Sequence, residues 1–335
     1  MQIGTKERPM LISNLEKSNN DFSHIGEDKH IASVFKDIET NFYKYFQTMG
    51  NDTASYAEQL ESVFSVKISA TSRNKQQVNG VKNLFVDAIA EFDKEKVKYC
   101  KFFDYESLEE FYDDQNSFKP SLKRECPIIN RCVNSKRSEM FNWQYLFTET
   151  ASFDLLNIFY NLIGFADEYK QNCDLKEYAS FNSLEDFNFN YVQGEECTIS
   201  GVISMGINSN ILYYTSPGLF PIRSRRDLYG LYFLSDCKPY DLPSKSSEFL
   251  MIDDKIKSNQ HNIKMEYNYF YPYNIYALYS LRIYRLIQQK CSQLGIDVVD
   301  KYRYVYVHTF LNHVCSQHIK QIKTMLGNDE DNIYF

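Results

Sequence analysis

Residues 197–214 read Cys-Thr-Ile-Ser-Gly-Val-Ile-Ser-Met-Gly-Ile-Asn-Ser-Asn-Ile-Leu-Tyr-Tyr, and the fold class turns on how they are taken. Thr198, Ile199, Val202 and Ile203 form one β-branched cluster, and Ile211, Leu212, Tyr213 and Tyr214 form a second apolar cluster. Gly206-Ile-Asn-Ser-Asn210 lies between them, a composition typical of a hairpin connection. On that pattern the stretch predicts two short strands. Glu248–Asp253 adds a buried-strand pattern, and Tyr302–Val307 alternates weakly.

The segments on either side predict helices. Ile31, Val34, Phe35, Ile38, Phe42, Tyr45 and Phe46 recur at three and four, giving an amphipathic helix that ends near Gly50. Tyr56, Leu60, Val63 and Phe64 suggest a second helix, residues 67–80 a loop or a weakly striped helix, and Val81 to Phe92 a third. Residues 142–171 are apolar almost all round and predict one core helix. Asn274–Lys290 and 308–326 predict two more, the last stopped by Gly327. The expected fold class is therefore α+β, predominantly helical, with a small β-sheet in the C-terminal half. The expected division is a helical N-terminal region, 1–118, and an α+β domain, 119–335, parted near Asn116–Ser121.

Composition agrees with a helix-rich globular chain. Of 335 residues, 43% are hydrophobic and 24% charged, and Gly (12) and Pro (8) together are roughly half their usual share. Few breakers favour long helices. Tyr (27) and Phe (25) are abundant beside a single Trp. The net charge of −7 excludes a uniformly basic nucleic-acid coat but allows a local basic site. The N-terminus lacks an apolar signal core, and the best apolar run, Ile158–Ala166, is too short for a membrane span. The expectation is a soluble, cytoplasmic protein with no membrane partner. Eight cysteines spread along such a chain are expected as reduced thiols. Cys126 and Cys132, with Cys173 and Cys197, make the one candidate four-thiolate zinc set, although a spacing of six is not a zinc-knuckle gap.

The sharpest functional signal is Arg223-Ser224-Arg225-Arg226-Asp227. Ser224 followed by Asp227 is a capping-box pattern for a helix start, where the helix dipole is positive. Crowding Arg223, Arg225 and Arg226 at that end is unfavourable unless an anion balances them. Guanidinium forks, a hydroxyl and helix N–H groups together suit a phosphate or a carboxylate. Arg223, Ser224, Arg225 and Arg226 are therefore the candidate anion-binding residues, with nucleic acid or a nucleotide as the partner. The function expected from them is a non-enzymatic binding or assembly subunit needing no cofactor.

Two alternatives stand beside it. Asp241 precedes a strand pattern that ends in Asp253-Asp254-Lys255. This resembles the PD-(D/E)xK nuclease pattern over about 17 residues; the resemblance implies Mg²⁺ held by Asp241 and Asp253, with Lys255 beside the attacking water. It departs from that pattern because Pro239 and Asp241 are not adjacent and no separate helix glutamate is identifiable. The other alternative is a purely structural interaction subunit that docks other protein subunits through aromatic residues. Tyr267, Tyr269, Phe270, Tyr271, Tyr273, Tyr276 and Tyr279 run into Arg282 and Arg285, which suits base stacking or, at helical spacing, a core or subunit interface.

The remaining clusters carry less. Residues 104–114 hold six carboxylates, and 119–137 hold six basic side chains against Glu125, so neighbouring segments compensate on a solvated surface. His308, His313 and His318 are five apart, a turn of about 500°, so they do not share a helix face. His318 falls on the stripe with Val314 and Ile322 and is expected as a satisfied core or interface histidine.

Overall fold

The computed structural model describes residues 21, 23–50, 70–137, 140–243, 247–253 and 264–326. In order these form α1 Asp28–Thr48, α2 Ala70–Phe102, α3 Tyr105–Glu110, α4 Gln115–Glu125, α5 Pro127–Val133, α6 Phe141–Glu149 and α7 Ser152–Asn172. Then follow α8 Leu175–Tyr178, α9 Met205–Thr215, α10 Arg225–Leu234, β1 Leu250–Asp253, β2 Lys264–Tyr267, α11 Tyr273–Gln293, α12 Arg303–Gln317 and α13 Ile319–Leu326.

The protein is helical, and the α+β expectation is corrected. Among the described residues the strand pairing is one two-stranded antiparallel ribbon, β1 with β2, plus an isolated bridge between Ile199 and Ile203. The ribbon's register sets Leu250 opposite Tyr267 and Asp253 opposite Lys264. Among the described residues no larger sheet is built.

The two misread segments fail for the same reason. Residues 205–215 are α9, not a hairpin, because the polar residues of the supposed turn are buried and tied to other segments. Asn208 Nδ2 donates to the Cys197 carbonyl at 2.7 Å, Ser209 Oγ accepts from the Arg223 N–H at 3.1 Å, and Asn210 Oδ1 accepts from Tyr99 Oη at 2.6 Å. Tertiary partners replace the turn that those residue types favour in isolation. Tyr302–Val307 enters α12 instead of a strand. Residues 303–307 are all buried, so their alternation in polarity carries no information about facing.

The helical expectations fare better at their centres than at their ends. α1 buries Ile31, Val34, Ile38, Phe42, Tyr45 and Phe46, the stripe read from spacing. α2 runs on both sides of the expected 81–92 segment. The apolar stretch 142–171 is two helices, because Thr150 turns extended (ψ 133°) and its hydroxyl caps the Leu146 carbonyl at 2.8 Å. The helix expected over 308–326 is likewise two, α12 and α13. The expected helix around residues 56–64 and the Gly327 stop lie outside the described residues.

The backbone clusters into two compact units, each assembled from separated stretches. The first comprises 1–46, 224–276 and 310–335. There Phe42 meets Phe310 at 4.9 Å, His318 stacks on Phe233 at 3.9 Å, and Tyr45 Oη bonds His318 Nε2 at 2.8 Å. α10 packs on the ribbon, and Gly230 lies so close to α12 that a Cβ would come within 2.6 Å of the Leu311 carbonyl oxygen. The second unit comprises 47–223 and 277–309. Its centre is aromatic: Tyr214 stacks between Phe92 (5.2 Å) and Tyr99 (4.4 Å), joining α9 to α2. Here the fully buried Arg303 donates to the Gly218 and Leu175 carbonyls at 2.6 and 3.0 Å, with its guanidinium over the rings of Tyr178 and Tyr284.

Candidate functional site at the start of α10

α10 begins where the sequence places it. Ser224 is the N-cap in extended conformation (φ −88°, ψ 164°), and both halves of the capping box are made. The Asp227 N–H donates to Ser224 Oγ at 3.3 Å, and the Ser224 N–H donates to Asp227 Oδ2 at 3.0 Å. The Ser224 hydroxyl also donates to Asp227 Oδ2 at 2.5 Å, so the cap absorbs this side chain.

The three arginines are not equivalent. Arg223 is buried at 6% exposure. Arg225 is half-buried and lays its guanidinium over the Tyr267 ring, 4.8 Å from its centroid. That cation–π contact ties the Arg225 side chain to the end of β2. Arg226 is also half-buried, and its Nη2 donates to the Ser316 hydroxyl at 2.7 Å. Ser316 Oγ in turn donates to the Asn312 carbonyl at 2.7 Å, which orients it to receive the arginine. The neighbouring Cys315 thiol is pushed up to about 11, chiefly by burial, with the Arg226 charge pulling the other way. Of the three arginines, Arg223 is buried and Arg225 and Arg226 are half-buried.

The nuclease set is distributed differently. Asp241 is exposed and left-handed (φ 55°), in a loop where Asp236, Cys237 and Tyr240 are left-handed too. Asp253 is the last residue of β1, and Lys255 lies outside the described residues. The aromatic run is mainly interior: Tyr271, Tyr273, Tyr276 and Tyr279 are buried. Arg285 binds the Ala179 and Phe181 carbonyls at 2.8 and 2.5 Å, which makes it a structural clamp instead of a base-stacking group. His318 is the satisfied histidine its position suggested. Among the described residues no three His, Cys, Asp or Glu side chains gather to hold a metal, and Cys126, Cys132, Cys173 and Cys197 do not assemble as a four-thiolate set. Burial instead raises Cys126 to about 12 and Cys132 to about 11.

One polar cluster carries no local sequence signal. The Glu248 side chain is fully buried, bonded through Oε2 to His30 Nε2 and accepting from Tyr271 Oη at 2.7 Å. Beside it Tyr240 Oη donates to Asp37 at 2.8 Å, and Lys238 pairs with Asp37 at 2.6 Å. His30 and Glu248 are 218 residues apart in the chain, so no motif could have joined them.

Among the described residues no helix is long and apolar enough to cross a membrane. Comparison with protein-family models, with curated proteins and with solved structures finds no match to this chain.

Proposed function

We propose that this chain is a non-enzymatic binding or assembly protein that takes a phosphate-bearing partner, nucleic acid in the first instance, at the start of α10. The observation that carries this reading is the environment of Arg226. A guanidinium stands at the positive end of a helix and is met by the Ser316 hydroxyl, a neutral partner. Its charge is thereby left for an external anion, and the Arg225 guanidinium, over the Tyr267 ring, adds positive charge to the same helix start. A negative chain overall with a local pair of arginines favours contact at one place over a coat along a groove. The eight free cysteines suit a reducing compartment, and we assign the protein to the cytoplasm.

The test is binding of labelled single- and double-stranded oligonucleotides, followed by anisotropy across a salt series without Mg²⁺. Affinity should fall as salt rises. Arg225→Ala with Arg226→Ala should weaken binding at least tenfold and flatten the salt slope by about two. Unchanged binding in the double variant overturns the reading. Mg²⁺-dependent cleavage that is lost in Asp241→Ala, Asp253→Ala and Lys255→Ala would replace it with the nuclease. A large, salt-insensitive protein complex would replace it with the structural subunit.

A further inference from the structure

Ser316 lies in the last turn of α12 and is exposed. Its hydroxyl accepts from Arg226 Nη2 at 2.7 Å and donates to the Asn312 carbonyl at 2.7 Å, and both bonds are open to solvent. Arg226 belongs to the first turn of α10, and its Nε is shut off from water and makes no hydrogen bond. A hydroxyl answers the charge of this guanidinium with a dipole alone.

The surroundings of Ser316 are poor in anions. α12 and α13 contain no Asp or Glu, and Lys320, four residues on, is exposed. The single carboxylate of α10, Asp227, is buried and taken up by the Ser224 N–H and hydroxyl. Arg226, Ser316 and Lys320 all belong to the first unit.

A phosphoryl group on the Ser316 oxygen brings three acceptor oxygens and a charge of about −1.5 to −2 at pH 7. It meets Arg226 within hydrogen-bond reach and the positive end of α10 behind it. The Asn312 carbonyl loses the hydroxyl but keeps the backbone bond that its place in α12 provides. The C-terminal end of α12 disfavours a negative charge, and a guanidinium at this distance outweighs a partial helix charge.

We propose that Ser316 is a phosphorylation site whose phosphate takes Arg226 and so closes the anion site at the start of α10 from within the chain. The inference rests on the reading of that site made above. In the step itself the Ser316 oxygen attacks the γ-phosphorus of a nucleoside triphosphate held by a protein kinase. The hydroxyl proton passes to the kinase's base, the bond from the γ-phosphorus to its bridging oxygen breaks, and nucleoside diphosphate leaves. The attached phosphate and an outside one then compete for the same guanidinium.

The full chain carrying phosphoserine at position 316, installed by codon reassignment, tests this. Its phosphorus-31 resonance should titrate at least one pH unit below the ordinary second ionisation of about 6, because the Arg226 charge favours the dianion. The same chain with Arg226→Ala should titrate at the ordinary value. With the helical circular dichroism unchanged, phosphorylation should weaken oligonucleotide binding at least tenfold, and phosphatase should restore it. Mass spectrometry of the chain isolated from its own cells should find phosphate on Ser316. An ordinary titration with Arg226 in place, unchanged oligonucleotide affinity, or a Ser316 found unmodified in cells overturns the proposal. An unphosphorylated chain that binds no oligonucleotide fails the function proposed above, and the phosphorus titration alone then decides whether the phosphate takes Arg226.

Discussion

Gly230 shows what a single residue decides. It lies mid-helix, where glycine costs about 1 kcal/mol relative to alanine, yet a Cβ there would come within 2.6 Å of backbone on α12. Close approach of two helices outweighs propensity. Gly230→Ala should therefore destabilise the protein by about 1–3 kcal/mol despite its better helix propensity, read as a lower urea midpoint. Ser224 poses the opposite case, a residue whose role its neighbour three places on reveals. Ser224→Ala removes the acceptor for the Asp227 N–H and the donor to its buried carboxylate. A loss of about 1–2 kcal/mol is expected in the same measurement. Were Ser224→Ala neutral, the cap would not be holding the helix start on which Arg225 and Arg226 depend.

At the scale of elements, burial on all sides is what defeated local reading. α9 and the start of α12 hold β-branched and aromatic residues that favour strands in isolation, but Ile207–Tyr213 and Arg303–Val307 are buried without a break. A helix buried all round loses the polar stripe by which its period is recognised. α1 keeps one wet face and was legible to within a few residues. The lone cation at the head of α12 belongs here as well. Arg303 ties α12 to the carbonyls of Gly218 and Leu175 and reaches Asp300 at 3.6 Å. Lysine keeps the charge but lacks the fork needed for two divergent carbonyls. Arg303→Lys should cost about 1–3 kcal/mol, because one buried carbonyl loses its donor. Chemical denaturation followed by circular dichroism reads this directly, and an unchanged midpoint would show the clamp to be dispensable.

Across the whole molecule, buried thiols make stability depend on alkaline pH. Cys315 is fully buried and raised from 9.0 to about 11, while Cys126 and Cys291 are raised to about 12, each chiefly by burial. A raised folded value means the unfolded chain gives up its proton first. The contribution is complete below pH 9 and is lost progressively as pH rises through about 11, at up to about 1.4 kcal/mol per pH unit for each thiol. Urea midpoints should accordingly fall between pH 9 and 11, and Cys315→Ala should make that fall shallower even though it lowers the midpoint overall. A parallel descent in the variant would exclude Cys315 as a source. The same burial predicts that iodoacetamide at pH 8 labels the exposed Cys237 well before Cys126, Cys197, Cys291 or Cys315.

The amino-acid order by itself determined the helical stripe of α1, the capped start of α10 at Ser224 and Asp227, and the absence of a shared face for His308, His313 and His318. Each of these depends on neighbours within about one turn, where spacing alone dictates geometry. Only the tertiary structure decided that 205–215 is helical and that Arg223 is buried while Arg225 and Arg226 are half-buried. It also brought Glu248 to His30. These outcomes depend on partners tens to hundreds of residues away, whose hydrogen bonds and buried surface outweigh local preferences of a kcal/mol or less per residue.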